Sequence, residues 1–475
     1  MKRTVPDLRA RPDEVFTRDL LVRSTSRLLS WRQGPGHFGQ MLLHSCWGVS
    51  STLDRGYHGQ TVAYSYWLLD GVLALTRRSA DPRWELLVHD MVANLLHLQL
   101  PAGGFYHASS EFEPTYTCEE SCPIHQGLPV LVLLEYLRWP AADPARKAQV
   151  EAAIEKWWDW MEGYWWMRGN GWKAPLVLPG FCGVTNQDLV IVAVLALHAK
   201  LRVNWERFER FGRPVLDAYL SPAYYHKDTG LFERGDRANF AERSTYYEVI
   251  IPMLELIHEA TGDGRIPGVV ANVCTHLFDA LHTGTDGLTH IARGALTDPD
   301  DKSRVVGWEH HPYGMTAYPM LLRILRNHVR RHPDPVREHQ CDQLEHTLAA
   351  YVYADGTIPT ALGGDPMFAV VGHTCHLWTF LVDRLSDVDV SMEVVDSPCI
   401  RRTCAGSAWR ENGDMWVIER NGVRAYAGLK RNPHGIVAGP AGVLCGGNLQ
   451  ELDRAEVEEI VAPPALHQDR RGPAS

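Results

Sequence analysis

Two kinds of helical segment alternate along this chain, and their alternation restricts the fold more than any other feature. One kind is amphipathic: in residues 82–99, apolar side chains recur every three to four positions with charged residues between them. The other kind, such as residues 62–75, is apolar around most of its circumference. A helix apolar on all sides must be covered by protein on all sides. The sequence therefore predicts an inner set of helices enclosed by an outer set.

The alternation repeats six times. The amphipathic segments are residues 13–31, 82–99, 144–160, 204–220, 266–281 and 335–353. The apolar segments are residues 62–75, 128–137, 189–198, 249–256, 315–325 and 377–385. Polar residues at the starts of the apolar segments are 60 to 67 positions apart, which suits one helical hairpin with its loops: His58, His125, Asn186, Tyr246, His311 and His373. We predict a mainly α protein, an (α/α)6 toroid of six helical hairpins, with an open stack of hairpins as the alternative.

Short turn motifs precede several apolar segments. They are PAGGFYH from Pro101, DTGLFER from Asp228, DGLTHIA from Asp286 and DGTIPTA from Asp355. Each combines turn-forming residues with a brief β-like run, so we expect small hairpins on the face of the toroid where the inner helices start.

The sequence pattern changes after the sixth hairpin. Residues 399–430 alternate in polarity and contain turns at Asn412-Gly413 and Asn421-Gly422, which predicts an antiparallel β-meander. We therefore divide the chain into a catalytic toroid (residues 1–388), a small antiparallel β-region (residues 389–454) and a flexible tail (residues 455–475).

Charge and composition exclude several classes of partner. The net charge of −10 gives no overall basic surface for nucleic acid or an anionic membrane. The N-terminus lacks the apolar core of a secretory signal, and no apolar run has membrane-spanning length, so we expect a cytoplasmic protein, or a secreted one if a leader was removed. Ten scattered cysteines fit reduced thiols, and 16 tryptophans suit sugar stacking as well as packing. No cofactor is predicted.

The inner helices of such a toroid run parallel, so their starts gather on one face. Polar residues far apart in sequence then converge there, and six positive helix ends favour an anionic group. The richest stretch is residues 305–326, a Gly-rich aromatic loop that runs into an apolar helix. The candidates are Tyr57, His58, Gln60, His125, Gln126, Asn186, Gln187, Asp188, Arg243, Tyr246, Tyr247, Glu248, Glu309, His310, His311, Tyr313, His373 and His376.

A toroid followed by a β-region resembles, in architecture over about residues 13–450, the polysaccharide lyases of the heparinase II/III and alginate-lyase type. The resemblance implies β-elimination on a uronate-containing oligosaccharide or polysaccharide: the substrate carboxylate is neutralised, and a Tyr or His removes the neighbouring proton. It suggests Asn186 as the neutralising amide, with Gln126 as its substitute, and Arg243 as charge partner. His125 or His311 would be the imidazole, and Tyr246 or Tyr247 the phenol.

We add Tyr313 to the catalytic candidates because a phenol beside two imidazoles suits proton transfer. The candidates for substrate binding are His58, Gln126, Asp188, Arg243, Glu248, Glu309, His310 and His373.

The β-region is shorter than those lyases carry, and no secretion signal is seen. Both departures favour a cytoplasmic enzyme that acts on oligosaccharides.

Other functions fit the same toroid. A glycoside hydrolase, such as an unsaturated glucuronyl hydrolase, needs one or two carboxylates, for which Asp70, Asp188, Glu248 and Glu309 are candidates. A sugar epimerase of the N-acylglucosamine type is also His-rich but usually ends without a β-region. Asn186, which the resemblance to lyases suggests as the neutralising amide, could instead cap the helix that it begins.

Three further interpretations have less support. Residues 298–301 reproduce the Asp-x-Asp-Asp letters of terpene cyclases, but their loop context favours a surface turn. Cys118, Cys122 and His125, like Cys375 and His376, are zinc-type ligands without a second matched pair, so no metal is predicted. A non-enzymatic helical-repeat scaffold would place polar aromatic residues on its outer helices or along a groove, not at inner-helix starts.

Overall fold

The computed structural model describes residues 7–30, 61–105, 123–162, 183–233, 241–310, 317–352, 356, 358, 371–393, 409–411, 415–420 and 423–428. These residues contain thirteen α-helices, and no helix among them is long and apolar enough to span a bilayer. The helices are α1 (Pro12–Val15), α2 (Arg18–Ser30), α3 (Thr61–Thr76), α4 (Arg83–Leu98), α5 (Pro123–Arg138), α6 (Pro144–Trp160), α7 (Thr185–Arg202), α8 (Arg213–Tyr219), α9 (Tyr247–Thr261), α10 (Ile266–Asp279), α11 (Tyr318–Arg331), α12 (Pro335–Tyr351) and α13 (Val371–Arg384).

Six of these helices form a closed inner ring. Helix α3 packs on α5, α5 on α7, α7 on α9, α9 on α11, α11 on α13, and α13 returns to α3. The even-numbered helices from α2 to α12 form the outer layer. Each of α4 to α12 contacts the inner helix before or after it in sequence, and α2 contacts the last inner helix, α13. This closure confirms the predicted (α/α)6 toroid and excludes the open stack of hairpins.

Burial explains why the two sets of helices differ in sequence. Residues 130–134 of α5 are all fully buried, as expected for a helix covered on every side. Outer helix α12 instead buries Cys341, Leu344 and Leu348 at three-to-four spacing. The predicted outer helix at residues 204–220 is interrupted: a π-helical turn, Phe208–Gly212, precedes α8. Pro214, the second residue of α8, cannot donate a backbone hydrogen bond.

Short hairpins precede inner helices. Strands β1 (Tyr225–His226) and β2 (Leu231–Phe232) pair before α9, and β3 (Leu281–Thr283) pairs with β4 (Thr289–Ile291) before α11. The DTG and DG motifs predicted both hairpins. A bridge between Gln99 and Phe105 marks the PAGGFYH turn. Most of the DGTIPTA motif lies outside the described residues.

A second hairpin before α11 differs from the sequence prediction. Strand β5 (Gly294–Thr297) pairs with β6 (Val305–Glu309), so residues 305–309 form a strand where we expected a loop. The Asp-x-Asp-Asp letters lie in the turn between the two strands, as a surface turn requires. Farther along, β7 (Trp409–Glu411), β8 (Met415–Arg420) and β9 (Val423–Gly428) form the predicted antiparallel meander.

Charged side chains of inner helices also pair across the ring. Arg138 at the end of α5 bonds Glu259 of α9 at 2.6 Å, although α7 lies between these helices. Arg323 of α11 likewise bonds Asp70 of α3 and, at 3.2 Å, Asp383 of α13. Asp70, which the sequence suggested as a hydrolase carboxylate, is therefore engaged in an ion pair that links non-neighbouring helices.

The contact that closes the ring is testable at Gly71 of α3. A Cβ atom there would lie 2.4 Å from the Trp378 ring of α13, whose Nε1 donates to Thr25 and cannot easily move away. We expect Gly71→Ala to lower the free energy of unfolding by about 1–3 kcal/mol, measured by urea denaturation. Gly268→Ala on outer helix α10 is the control, because nothing lies within 4 Å of its added Cβ. It should be neutral or stabilising by up to about 1 kcal/mol, and equal losses in both variants would contradict the closed ring.

Candidate functional site

Side chains in the first turns of inner helices hold the segments that precede those helices. The Tyr247 hydroxyl accepts a hydrogen bond from the Phe232 N–H at 3.2 Å, and the Tyr318 hydroxyl accepts one from the Ile291 N–H at 3.0 Å. Gln126 accepts from the N–H of Phe105 and donates to its carbonyl, both at 2.8 Å. These bonds fix the loop face of the ring. They also give Gln126 and Tyr247, two sequence candidates for catalysis or binding, a structural role.

Asp188 has a structural role of the same kind. It is fully buried in the first turn of α7, where its Oδ2 accepts hydrogen bonds from the Gly183 N–H at 2.9 Å and from the Tyr219 hydroxyl at 2.6 Å. A carboxylate held by two donors is poorly suited to act as a substrate-binding or hydrolytic group. Asn186 does not cap α7, because Val184 occupies the N-cap position. The Asn186 Oδ1 atom is buried and accepts no hydrogen bond from the described residues.

Other sequence candidates lie at the same face with different exposure. Glu309 ends β6 and forms an ion pair with Arg293 at 3.0 Å. His310 follows it, is exposed, and its ring lies 4.0 Å from that of His282, centroid to centroid. Arg243 and Tyr246 are half-buried in the turn that leads into α9.

Several candidates cannot be placed in the site. Tyr57, His58, His311 and Tyr313 lie outside the described residues. His125 belongs to α5 and His373 to α13, and their side chains are outside the described part of the structure.

Within the described residues, one acid–base pair faces the interior of the ring. The Glu248 Oε2 atom, on the first turn of α9, lies 3.6 Å from the His376 Nδ1 atom of α13. Helix α11 stands between these two helices, so the side chains meet in front of it, inside the ring. The side chain of Glu248 is 16% exposed and that of His376 is 2% exposed. The Trp67 ring of α3 packs edge-on against the imidazole, with 5.6 Å between ring centroids.

Burial controls the protonation of this pair. Desolvation raises the pKa of the Glu248 carboxyl from its ordinary value of 4.5 to about 8, so it keeps its proton at neutral pH. A hydrogen bond to Oε2 would favour the charged form of the carboxyl, and none of the described residues donates one. A neutral carboxyl beside an imidazole combines a proton donor with a proton acceptor, the combination that general acid–base catalysis requires.

The sequence contained a partial signal for this pair. Both residues are among the polar candidates at inner-helix starts, but a role in binding or hydrolysis is predicted for Glu248 alone. His376, more than a turn inside α13, otherwise enters only as a zinc-type ligand beside Cys375. Burial raises the pKa of the Cys375 thiol well above its ordinary range, with a further contribution from nearby Glu248. No group of three or more His, Cys, Asp or Glu side chains in the described ranges is arranged to hold a metal ion.

Comparison with known proteins identifies the fold. No protein family and no curated protein matches the chain by sequence. A cellobiose 2-epimerase from Bacillus thermoamylovorans matches with a TM-score of 0.53 and 10% identity over 78% of this chain and 100% of that chain. A sugar epimerase from a ruminal bacterium matches with a TM-score of 0.52 and 12% identity over 78% and 99% of the two chains.

A third solved structure, a possible member of the GH105 family from Salmonella enterica serovar Paratyphi A, matches with a TM-score of 0.50 and 16% identity. The match covers 80% of this chain and 96% of that chain. This chain shares their toroid fold. The architectural resemblance predicted from the sequence is therefore confirmed.

The protonation of Glu248 predicts how stability depends on pH. The folded state keeps the proton up to about pH 8, whereas the unfolded chain releases it near pH 4.5. The stability that this proton gives is complete below pH 4.5 and is lost as the pH rises towards 8. We expect the wild type to lose up to about 4 kcal/mol relative to Glu248→Gln between pH 5 and pH 8, measured by urea denaturation.

Glu309→Gln is the control for this measurement, because it removes a carboxyl that is 40% exposed and paired with Arg293. It should keep the pH dependence of the wild type. A Glu248→Gln protein that loses as much stability as the wild type over this range would show that Glu248 is not the buried acid.

Proposed function

We propose that this protein is a carbohydrate-active enzyme that epimerises a sugar by moving a proton at a carbon next to a carbonyl group. The observation that carries the proposal is the buried pair of Glu248 and His376, which face each other inside the ring at 3.6 Å. The pair supplies one neutral acid and one imidazole base in a site with little water, where proton transfer at carbon is most effective.

The chemistry follows from the protonation states. The C–H bond beside a carbonyl is weakly acidic, and its proton can pass to the His376 imidazole as the electron pair moves onto the carbonyl oxygen. The neutral Glu248 carboxyl can donate its proton to that oxygen, which prevents charge from building up. The enol then turns its opposite face towards the protonated His376, which returns a proton to the carbon while Glu248 takes back the proton of the enol oxygen, and this gives the epimer. The overall reaction neither oxidises nor reduces the sugar.

The structural comparisons support a saccharide as the substrate class. Two of the matched structures are named as a cellobiose 2-epimerase and a sugar epimerase, and each is matched over nearly its whole length. A two-carboxylate hydrolase has less support, because Asp188 and Glu309 are engaged by other protein groups and Asp70 is bound by Arg323.

β-Elimination on an acidic oligosaccharide or polysaccharide is the second candidate. The guanidinium of Arg243 and the phenol of Tyr246 are both half-buried and lie five and two positions before Glu248 in sequence. A cation that neutralises a uronate carboxylate and a phenol that transfers a proton are the groups that this reaction needs. Both reactions begin by removing a proton from carbon, and they differ in whether a leaving group departs.

Incubation in D2O with neutral reducing disaccharides and uronate oligosaccharides tests the proposal. Epimerisation should introduce deuterium at the carbon beside the carbonyl, detected by NMR, and should produce the epimer. We expect Glu248→Gln and His376→Gln to slow the exchange roughly 100- to 10,000-fold, because each removes a proton-transfer group. His328→Gln, which removes a buried imidazole from α11 outside the pair, should exchange at the wild-type rate.

The remaining outcomes separate the alternatives. A rise in ultraviolet absorbance with uronate oligosaccharides, from a new conjugated double bond, would replace epimerisation by β-elimination. New reducing ends without deuterium on carbon would indicate hydrolysis. Exchange that survives in both Glu248→Gln and His376→Gln would exclude the pair as the catalytic centre.

A further inference from the structure

We infer that Tyr247 is a positioning residue that holds the Glu248 carboxyl against His376 by tying the first turn of α9 to hairpin β1–β2. The inference rests on the proposed function, because it assigns Tyr247 a task within the same site. It also replaces the catalytic role that the sequence suggested for Tyr247.

The first step of the argument concerns what holds Glu248. The described residues donate no hydrogen bond to its Oε2 atom, and His376 Nδ1 at 3.6 Å is too distant for a good hydrogen bond. Within the described residues, no hydrogen bond therefore fixes the Oε2 atom of this carboxyl. Its position depends on the backbone of the first helical turn, on which Glu248 is the second residue.

The second step concerns what holds that turn. Tyr247 is the first residue of α9 and is fully buried. Its hydroxyl accepts a hydrogen bond from the Phe232 N–H, and its ring packs beside that of His276 of α10 with 5.9 Å between centroids. Trp308 of β6 also packs against His276, with 5.2 Å between centroids. The start of α9 is thus fixed to two hairpins and one outer helix.

The third step concerns the hairpin itself. The Thr185 hydroxyl, at the start of α7, donates to the carbonyl of Glu233, the residue after Phe232. The first residues of two neighbouring inner helices therefore hold the same end of β2. At the opposite end of the hairpin, Gly230 has a φ of 67° and a Cβ there would lie 2.2 Å from the Asn272 carbonyl oxygen of α10. Strand β2 is a rigid support, which Tyr247 connects to the catalytic pair.

The chain provides a matched control. Tyr318 is also the first residue of an inner helix, is buried, and accepts a hydrogen bond from the last residue of a strand, Ile291. The next residue is Pro319, which has no titratable group. Tyr247→Phe and Tyr318→Phe therefore each remove a bond to the last residue of a strand, and only Tyr247→Phe does so beside Glu248. Tyr318→Phe also removes the 3.4 Å contact of its hydroxyl with the His290 Nδ1 atom.

The experiment follows the protonated carboxyl of Glu248 by infrared spectroscopy as a function of pH, with Glu248→Gln used to assign its band. In Tyr247→Phe the first turn loosens and water reaches the carboxyl, so we expect the titration midpoint to fall by about one pH unit. We also expect kcat to fall about tenfold with KM unchanged. Tyr318→Phe should match the wild type in both quantities while losing at least as much thermal stability as Tyr247→Phe.

An unchanged midpoint in Tyr247→Phe, or equal shifts in both variants, would overturn the inference. If Tyr247→Phe does not fold, Thr185→Val is measured in its place, because it loosens the same end of β2. It should lower the titration midpoint of Glu248, and an unchanged midpoint would overturn the inference. The proposed function is tested separately, by proton exchange in D2O. If the titration midpoint of Glu248 shifts only in Tyr247→Phe but the wild type exchanges no proton on any sugar, the positioning role is retained and epimerisation is rejected.

Discussion

The packing of helix α13 against helix α3 is the constraint on which the rest of the structure depends. These are the last and first inner helices, and their contact turns a row of helical hairpins into a ring. Helices that are apolar on all sides are stable in water only when that ring closes and the outer layer covers it. Gly71 allows the close approach, because any side chain there would overlap Trp378. Closure also brings the six helix starts to one face.

Titratable side chains inside the ring are accommodated in two ways, by ion pairing or by remaining uncharged. Beyond the first turns of the helices, Arg138 and Glu259 form an ion pair across the ring, as do Arg323 and Asp70. Among the described residues no Arg or Lys forms an ion pair with Glu248, and its burial is tolerated because the carboxyl remains protonated. A buried acid without a compensating partner costs stability, and groups of this kind concentrate at functional sites. The contrast distinguishes the part of the ring that maintains the fold from the part that we assign to catalysis.

Sequence periodicity predicted the toroid well because one physical requirement, burial on all sides or on one side, decides which helices are inner and which are outer. The hairpins at Asp228 and Asp286 were predictable for an equally local reason, the turn chemistry of Asp and Gly. Strands β5 and β6 were missed, since a Gly-rich aromatic segment is compatible with either a loop or a strand.

The site was harder to predict because neighbouring residues at a helix start have different tasks. Tyr247 points to a strand and Glu248 to the ring interior, although they are adjacent in sequence. Position at a helix start therefore identified the correct helical turn. It could not tell which side chain in that turn supports the fold and which one we assign to catalysis. The partner of Glu248 lies 128 positions away on a helix that is not its neighbour. Only the closed ring brings the two together.

The most direct test of this account is a crystal structure of the Glu248→Gln variant grown with the saccharide that the wild type exchanges, or with cellobiose if none has been found. The account predicts a sugar inside the ring, with a carbon-bound hydrogen directed at His376 and an oxygen within hydrogen-bond distance of residue 248. A sugar bound on the outer helices, or one inside the ring with neither residue in contact, would contradict it.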